Sequence, residues 1–157
     1  VTKAGFVKDN RGLTYYLDEK GNKVLGLHEI NGDLYYFRRG GAYKYTQLGD
    51  MWQDSINYID GKIYYFGHDG RAIKNRFYQW GNYWYYFYAD GSAATGAVQI
   101  NGQQLYFDKN HGRQVKGAFA PDGHYYDENS GELVTNQTRT IKGVTYHFDE
   151  NGNATKV

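Results

Sequence analysis

The sequence predicts an all-β fold, a β-solenoid of stacked β-hairpin repeats with a period of about 20 residues. Clusters of aromatic residues recur along the chain, and each is followed by a polar turn and, in most cases, by a glycine that marks the repeat. Two-residue turn signals precede the clusters. The clusters are TYYL, LYYF, IYYF, WYYF, LYF, HYY and TYHF, and the marker glycines are Gly21, Gly70, Gly91, Gly112, Gly131 and Gly152.

The spacing of the marker glycines defines the repeat. Successive markers lie 49, 21, 21, 19 and 21 residues apart, and the first interval fits two units with extra residues and Gly41 as the candidate missing marker. We therefore expect residues 1–157 to form a single repeat domain of about seven hairpin units, with an insertion near 41–60 in one unit and no separate catalytic domain.

Each unit consists of two strands and a short third stretch. Asn31-Gly32, Asp60-Gly61 and Asn101-Gly102 favour the positive φ values of a type I′ hairpin turn, and Trp80-Gly81 occupies the same place with weaker turn chemistry. Side chains alternate along a strand, so the first Tyr and the Phe of a YYF cluster share one face. We expect these two rings in the core and the second Tyr half exposed where adjacent hairpins meet.

Composition excludes several classes of function. The chain has 157 residues, 18% aromatic content, 21 glycines and a net charge of +1 with scattered Lys and Arg, a distribution that argues against a nucleic-acid partner. No apolar run is long enough for membrane insertion, and the absence of cysteine excludes a disulfide framework. The start at Val1 without a signal peptide favours a piece of a longer protein.

One repeat carries polar side chains suited to a sugar. Pyranose rings present an apolar C–H face that stacks on an aromatic ring, and hydroxyls that need donors and acceptors. Gln114 and Lys116 in GRQVKG alternate by two, so in an extended segment they point the same way. The competing interpretation is that both are ordinary solvated surface residues.

Other chemistry is disfavoured. The aspartates recur at turn positions, where a carboxylate accepts backbone hydrogen bonds, so we predict no catalytic residues. The five histidines occupy unlike positions, which argues against a metal site, and nothing in the sequence calls for a cofactor.

The segments INGQQLYFDKNHGRQVKG and QWGNYWYYFYADGSAATG resemble the glucan-binding repeats of glucansucrases, secreted enzymes of lactic acid bacteria that build α-glucans from sucrose. The resemblance implies a non-catalytic module that binds dextran or isomaltooligosaccharides in pockets between hairpins. It also implies covalent continuity with a catalytic domain, which the module anchors to its polymer, and an extracellular location that includes association with the cell wall. The best pocket then maps to Tyr106, Gln114 and Lys116 with Tyr125 or Tyr126 of the next hairpin, and a secondary one to Trp84 and Tyr86.

The same pattern is shared by choline-binding modules of cell-wall proteins and by sugar-binding repeats of clostridial toxins. A choline site needs an aromatic cage around a quaternary ammonium, which favours Trp, and the chain has three Trp and no Gly-Trp dipeptide. A purely structural spacer without a working pocket is the third interpretation.

Overall fold

The structure is a computed structural model, and it describes residues 4–40 and 48–157. The described residues contain fifteen strands and no helix, and fourteen of the strands pair in sequence order as seven antiparallel hairpins. This confirms the predicted all-β hairpin repeat. The strands are β1 (Gly5–Lys8), β2 (Thr14–Leu17), β3 (Gly26–Ile30), β4 (Asp33–Phe37), β5 (Ser55–Ile59), β6 (Lys62–Phe66), β7 (Arg76–Trp80), β8 (Tyr83–Phe87), β9 (Gly96–Ile100), β10 (Gln103–Phe107), β11 (Ala118–Phe119), β12 (Tyr125–Tyr126), β13 (Gln137–Ile141), β14 (Val144–Phe148) and β15 (Ala154–Lys156).

The hairpins group into two compact units. Unit 1 comprises the described residues up to Asn75 together with Ala89–Ser92, and unit 2 comprises Arg76–Tyr88 and Ala93–Val157. The prediction of a single repeat domain stays a prediction. In the part of the chain that the structure describes, no helix has the length and apolar character needed to cross a membrane.

The hairpin turns follow the local sequence. Asn31, Asp60 and Asn101 have φ values of 53°, 51° and 53°, and each is followed by a glycine with positive φ, as a type I′ turn requires. The seventh hairpin turns in the same way at Lys142, with φ of 50°. The fourth hairpin differs from the prediction: Trp80 pairs with Tyr83, so its turn residues are 81 and 82, one position later.

A connector follows the second strand of each hairpin and leads to the first strand of the next. It contains the marker glycine, and two residues later it bridges back to the last residue of the second strand, as in Phe66↔Ala72. The Ala72 N–H also donates to Leu34 O of the preceding hairpin at 2.9 Å. In unit 2, Leu133 N–H donates to Gln104 O at 2.8 Å in the same way. Within each unit the connector therefore joins consecutive hairpins through backbone hydrogen bonds.

The second hairpin has a lengthened connector. Phe66 and its marker Gly70 are four residues apart, whereas Phe37 and Gly49 are twelve apart. Gly49 has φ of 86°, and Met51, two residues later, bridges to Phe37. Gly49 is therefore a marker glycine that the sequence prediction missed; Gly41, predicted for that role, lies outside the described residues. Because β5 is a regular strand, the extra residues precede Gly49 rather than spreading over 41–60.

The core of each unit is a set of stacked aromatic rings. Phenylalanines at the ends of the second strands are fully buried (Phe37, Phe66, Phe87, Phe107 and Phe148). The first Tyr of a cluster shares their face, as predicted: Tyr64 and Phe66 have ring centroids 6.1 Å apart, nearly parallel. The prediction for the second Tyr holds at Tyr16 and Tyr86, which are partly buried, and is wrong at Tyr36, Tyr65 and Tyr106, which are buried.

The turn after the aromatic cluster is held by an aspartate. Asp127 accepts hydrogen bonds from the Ser130 and Asn129 backbone N–H groups, both at 2.8 Å, and pairs with Arg139 at 2.9 Å. Asp149 accepts the N–H groups of Asn151 and Asn153 in the same way. The donors around Asp127, first the Ser130 and Asn129 N–H groups and then Arg139, lower its pKa from 3.8 to about 2. These carboxylates therefore stabilise turns by accepting backbone hydrogen bonds, as the sequence predicts.

We predict that Phe66→Ala lowers the free energy of unfolding by about 3–5 kcal/mol, because it leaves a cavity in a fully buried ring stack. Chemical denaturation measures the loss, and hydrogen exchange should show protection lost first in the hairpins that contact residue 66. Val144→Ala, at a position that is 37% exposed, is the control and should cost far less. Uniform loss of protection over the whole chain would contradict a repeat stabilised by neighbours.

We further predict that Asp127→Asn destabilises the protein at neutral pH by about 1 kcal/mol, a modest value because solvent screens this turn. A folded-state pKa below the unfolded value means that the carboxylate stabilises the fold above about pH 3.8 and loses this contribution as the pH falls towards about 2. Thermal melts of wild type and variant should therefore converge over that range. The control is Glu132→Gln, since no described residue hydrogen-bonds that carboxylate. A difference in melting temperature between wild type and Asp127→Asn that does not change with pH would show that the Asp127 carboxylate does not stabilise the turn in this way.

Candidate functional site

The candidate site lies on the connector of the fifth hairpin, in unit 2. Gln114 bridges to Phe107, and its N–H donates to Trp84 O of the fourth hairpin at 2.8 Å. Val115 N–H donates to Tyr106 O at 2.8 Å, which fixes the connector on its other side. Backbone hydrogen bonds thus position the side chains of Gln114 and Lys116, and both side chains are half-buried.

Both side chains extend to the marker glycine of the next connector. A Cβ on Gly131 would overlap Gln114 Nε2 and would lie 3.3 Å from Lys116 Cγ. Gly131 has φ of 74°, so the turn and the close approach both favour glycine there. The structure therefore brings Gln114 and Lys116 together, as their spacing predicts, and places them beside Gly131, a neighbour that the sequence reasoning did not identify.

Lys116 lies between residues of two other hairpins. Its Nζ is 3.4 Å from Asn129 O and 5.4 Å from the centroid of the Trp84 ring. The Trp84 side chain is 36% exposed. A ring face, an amide and an ammonium thus come together on the surface of unit 2.

The three tyrosines predicted for this pocket lie in the core. Tyr106 and Tyr126 are each 2% exposed, with ring centroids 5.7 Å apart, and Tyr125 packs on Phe148. The Tyr126 hydroxyl donates to Asp122 at 2.7 Å, and burial together with this carboxylate raises the Tyr126 pKa. Tyr106 thus packs against the next hairpin, Tyr126 against the preceding one and Tyr125 against the one that follows. The part of these three rings in a sugar site stays a prediction.

The secondary prediction, Trp84 and Tyr86, lies on the exposed side of the fourth hairpin. The two residues alternate along β8 and so share a face. Tyr86 packs edge-on against Phe77 at 4.8 Å and against Tyr88 at 5.6 Å. Trp84 is therefore the predicted site residue whose ring is most accessible, and it adjoins Lys116 of the primary prediction.

Cations of the chain itself lie near several aromatic rings, both exposed and buried. Arg113 lies 4.2 Å from the centroid of the Tyr83 ring, and Lys23 Nζ lies 3.9 Å from that of Tyr15. Lys116 Nζ likewise lies 5.4 Å from the centroid of the Trp84 ring. Among the described residues, no group of three or more His, Cys, Asp or Glu side chains could hold a metal ion.

Family models match most of the repeats. A model described as "Choline-binding repeat" matches residues 94–137, and one described as "Putative cell wall binding repeat" matches residues 4–23, 75–93 and 139–154. Glucosyltransferase-S of Streptococcus mutans is 39% identical over 95% of this chain, and Glucosyltransferase-I of Streptococcus downei is 37% identical over 95%. The chain matches a repeat region of streptococcal glucosyltransferases. It spans about a tenth of the length of these relatives, 10% and 9% respectively.

Solved structures agree on the fold. Choline binding protein F of Streptococcus pneumoniae is 29% identical, with a TM-score of 0.77 over 99% of this chain and 48% of its own. The choline-binding domain of CbpL from Streptococcus pneumoniae is 24% identical, with a TM-score of 0.69 over 98% of this chain and 78% of its own. The matches confirm the resemblance read from the motifs: the chain aligns with about a tenth of each glucosyltransferase, and the family models identify repeats in it. They also indicate an extracellular or cell-surface protein.

We predict that Gly131→Ala and Gly123→Ala cost similar stability, about 1–2 kcal/mol each, because both place a side chain in the left-handed region. Gly123 has φ of 84° and open space around its Cβ position, so it is the matched control for Gly131. Only Gly131→Ala should displace Gln114 and shift its side-chain amide signals in an NMR spectrum. Unchanged Gln114 signals in that variant would contradict the packing of Gln114 on Gly131.

Proposed function

We propose that this chain is a non-catalytic carbohydrate-binding module that binds α-glucan chains of the dextran type and anchors an attached glucansucrase to its polymer. The observation that carries the proposal is the placement of Gln114 and Lys116 between the Trp84 ring and the Gly131 turn. The likeness to streptococcal glucosyltransferases supports the choice of glucan. Secretion and association with the cell wall belong to the same proposal.

The chemistry of these residues suits a neutral sugar. The indole of Trp84 offers a flat face for the C–H side of a pyranose ring. The Gln114 amide can donate to and accept from hydroxyls, and the Lys116 ammonium donates. We assign the stacking role to Trp84 and a supporting role to Tyr106, Tyr125 and Tyr126, whose buried rings hold the hairpins that carry the site. Each site should be weak, because a small ligand gains little net free energy.

A choline-binding function is the second candidate, favoured by the "Choline-binding repeat" match. A quaternary ammonium would need aromatic faces that are free of positive charge. Lys116 lies beside Trp84, and Arg113 lies over Tyr83 at 4.2 Å, so a second cation would be repelled at both rings. This charge arrangement favours the neutral glucan at this site.

The first test is native electrophoresis of the chain in gels with and without dextran, with choline chloride in a parallel gel. We expect dextran to retard the chain and calorimetry to detect weak binding of isomaltooligosaccharides. Retardation by neither additive, with silent calorimetry, would favour a structural spacer and reject the proposal. Specific binding of choline without any binding of dextran would show that the chain binds choline and not glucan.

The second test is the double variant Gln114→Ala/Lys116→Ala. We expect it to unfold within about 0.5 kcal/mol of wild type per substitution, since both side chains are polar and incompletely buried. Dextran retardation should fall strongly, because each unpaired sugar hydroxyl costs about 1–3 kcal/mol. The matched control is Gln99→Ala/Lys109→Ala, which changes the same residue types at exposed positions of the same hairpin. Equal retardation of the two double variants would refute this site.

A further inference from the structure

Met51 carries the only sulfur atom of the chain, because the sequence contains one methionine and no cysteine. A thioether takes up oxygen from a peroxide and becomes a sulfoxide, a change that turns a flexible apolar side chain into a polar one. The protein therefore offers such an oxidant a single sulfur. Met51 lies on the lengthened connector of the second hairpin, in unit 1.

The side chain of Met51 lies at a joint between two connectors. A Cβ on Gly70, the marker glycine of the next connector, would overlap Met51 Sδ. The Met51 N–H also donates to Thr14 O of the first hairpin at 2.7 Å. The residue at the bridging position packs on the next marker glycine in other repeats too, in the pairs Lys23–Gly49, Ala72–Gly91, Gln114–Gly131 and Leu133–Gly152. A chemical change at Met51 therefore acts where consecutive repeats meet.

Solvent can approach Met51 in the folded protein. Its side chain is partly buried and lines two cavities of unit 1, with volumes of about 380 and 480 Å³, both of them open to solvent. Hydrogen peroxide is only slightly larger than water, so cavities of this size admit it. Oxidation of this sulfur therefore does not require unfolding.

A sulfoxide oxygen would be poorly accommodated at this joint. Met51 packs against a hydrophobic cluster of the second hairpin, which comprises Ile30, Tyr35 and Phe37. On the side of the marker glycine, the Gly70 N–H already donates to Gly67 O at 3.0 Å. An acceptor that enters an apolar contact without a donor is unfavourable, and the added oxygen also needs volume in a packed core. Oxidation should therefore weaken the contact between the second and third hairpins.

We propose that Met51 is a peroxide-reactive modification site whose oxidation to the sulfoxide loosens the stacking of the hairpins of unit 1. The sulfur lone pair attacks one oxygen of hydrogen peroxide, so that an S–O bond forms and the O–O bond breaks. The departing hydroxide takes the proton from the transferred oxygen, and the products are the sulfoxide and water. The sulfur is oxidised and the peroxide is reduced. This inference does not rest on the proposed glucan site, whose residues lie in unit 2.

The test is treatment of the native chain with hydrogen peroxide, followed by peptide mass spectrometry and hydrogen exchange. We expect the peptide that contains Met51 to gain the mass of one oxygen atom while the protein stays folded. Exchange protection in β3, β4 and β6 should then fall about tenfold, whereas β9 and β10 of unit 2 should keep theirs. Methionine sulfoxide reductases of both epimer specificities should restore the lost protection.

Met51→Leu is the matched control, because Leu133 fills the equivalent position on Gly152 in unit 2. A swap of similar volume is well tolerated, so this variant should melt close to wild type and keep its exchange protection in peroxide.

Three results would overturn the proposal. Oxidation of Met51 that occurs only in denaturant would show that the sulfur is inaccessible in the folded protein. A sulfoxide at Met51 with unchanged protection would show that the joint tolerates the oxygen. A loss of protection that also occurs in Met51→Leu, or that the reductases do not reverse, would assign the effect to another group.

Discussion

The hydrogen bond from the connector amide to the preceding hairpin holds each unit together. A two-stranded hairpin is marginally stable in water. Met51 N–H donates to Thr14 O at 2.7 Å in unit 1, and Gln114 N–H donates to Trp84 O at 2.8 Å in unit 2. Because the same residue also bridges to its own hairpin, one short segment satisfies backbone groups on two hairpins. The marker glycine, with its positive φ, directs the chain back into this position.

The aromatic composition follows from this arrangement. A stack of narrow hairpins leaves a core only a few side chains wide, and long flat rings fill it where short aliphatic side chains would leave gaps. The fully buried phenylalanines are the repeated element of that core. Trp84, by contrast, projects outward, and Lys116 lies beside its ring.

Fold and function make separate demands on the connector. The backbone of the connector makes the hydrogen bonds that hold the hairpins together. The side chain at the bridging position can therefore differ between repeats, and it is that of Met51, Ala72, Gln114 or Leu133. A repeat protein of this kind can therefore carry different sites on equivalent connectors. The polar pair on the fifth connector and Met51 on the second are two such variations on one backbone plan.

Local pattern was sufficient to establish the hairpin repeat, the type I′ turns and the pairing of Gln114 with Lys116. Turn φ preferences and strand alternation act over two to four residues, so they can be read without knowledge of the neighbours. Tertiary packing decided which rings are accessible. Tyr106 and Tyr126 belong to motifs of the same kind as the partly exposed Tyr86, yet their rings pack against each other and are buried. Packing also identified Gly49 as the marker glycine of the second hairpin. The lengthened connector hides this role in the sequence, and the bridge between Met51 and Phe37 reveals it. These features depend on contacts between residues far apart in the chain, and no local preference encodes such contacts.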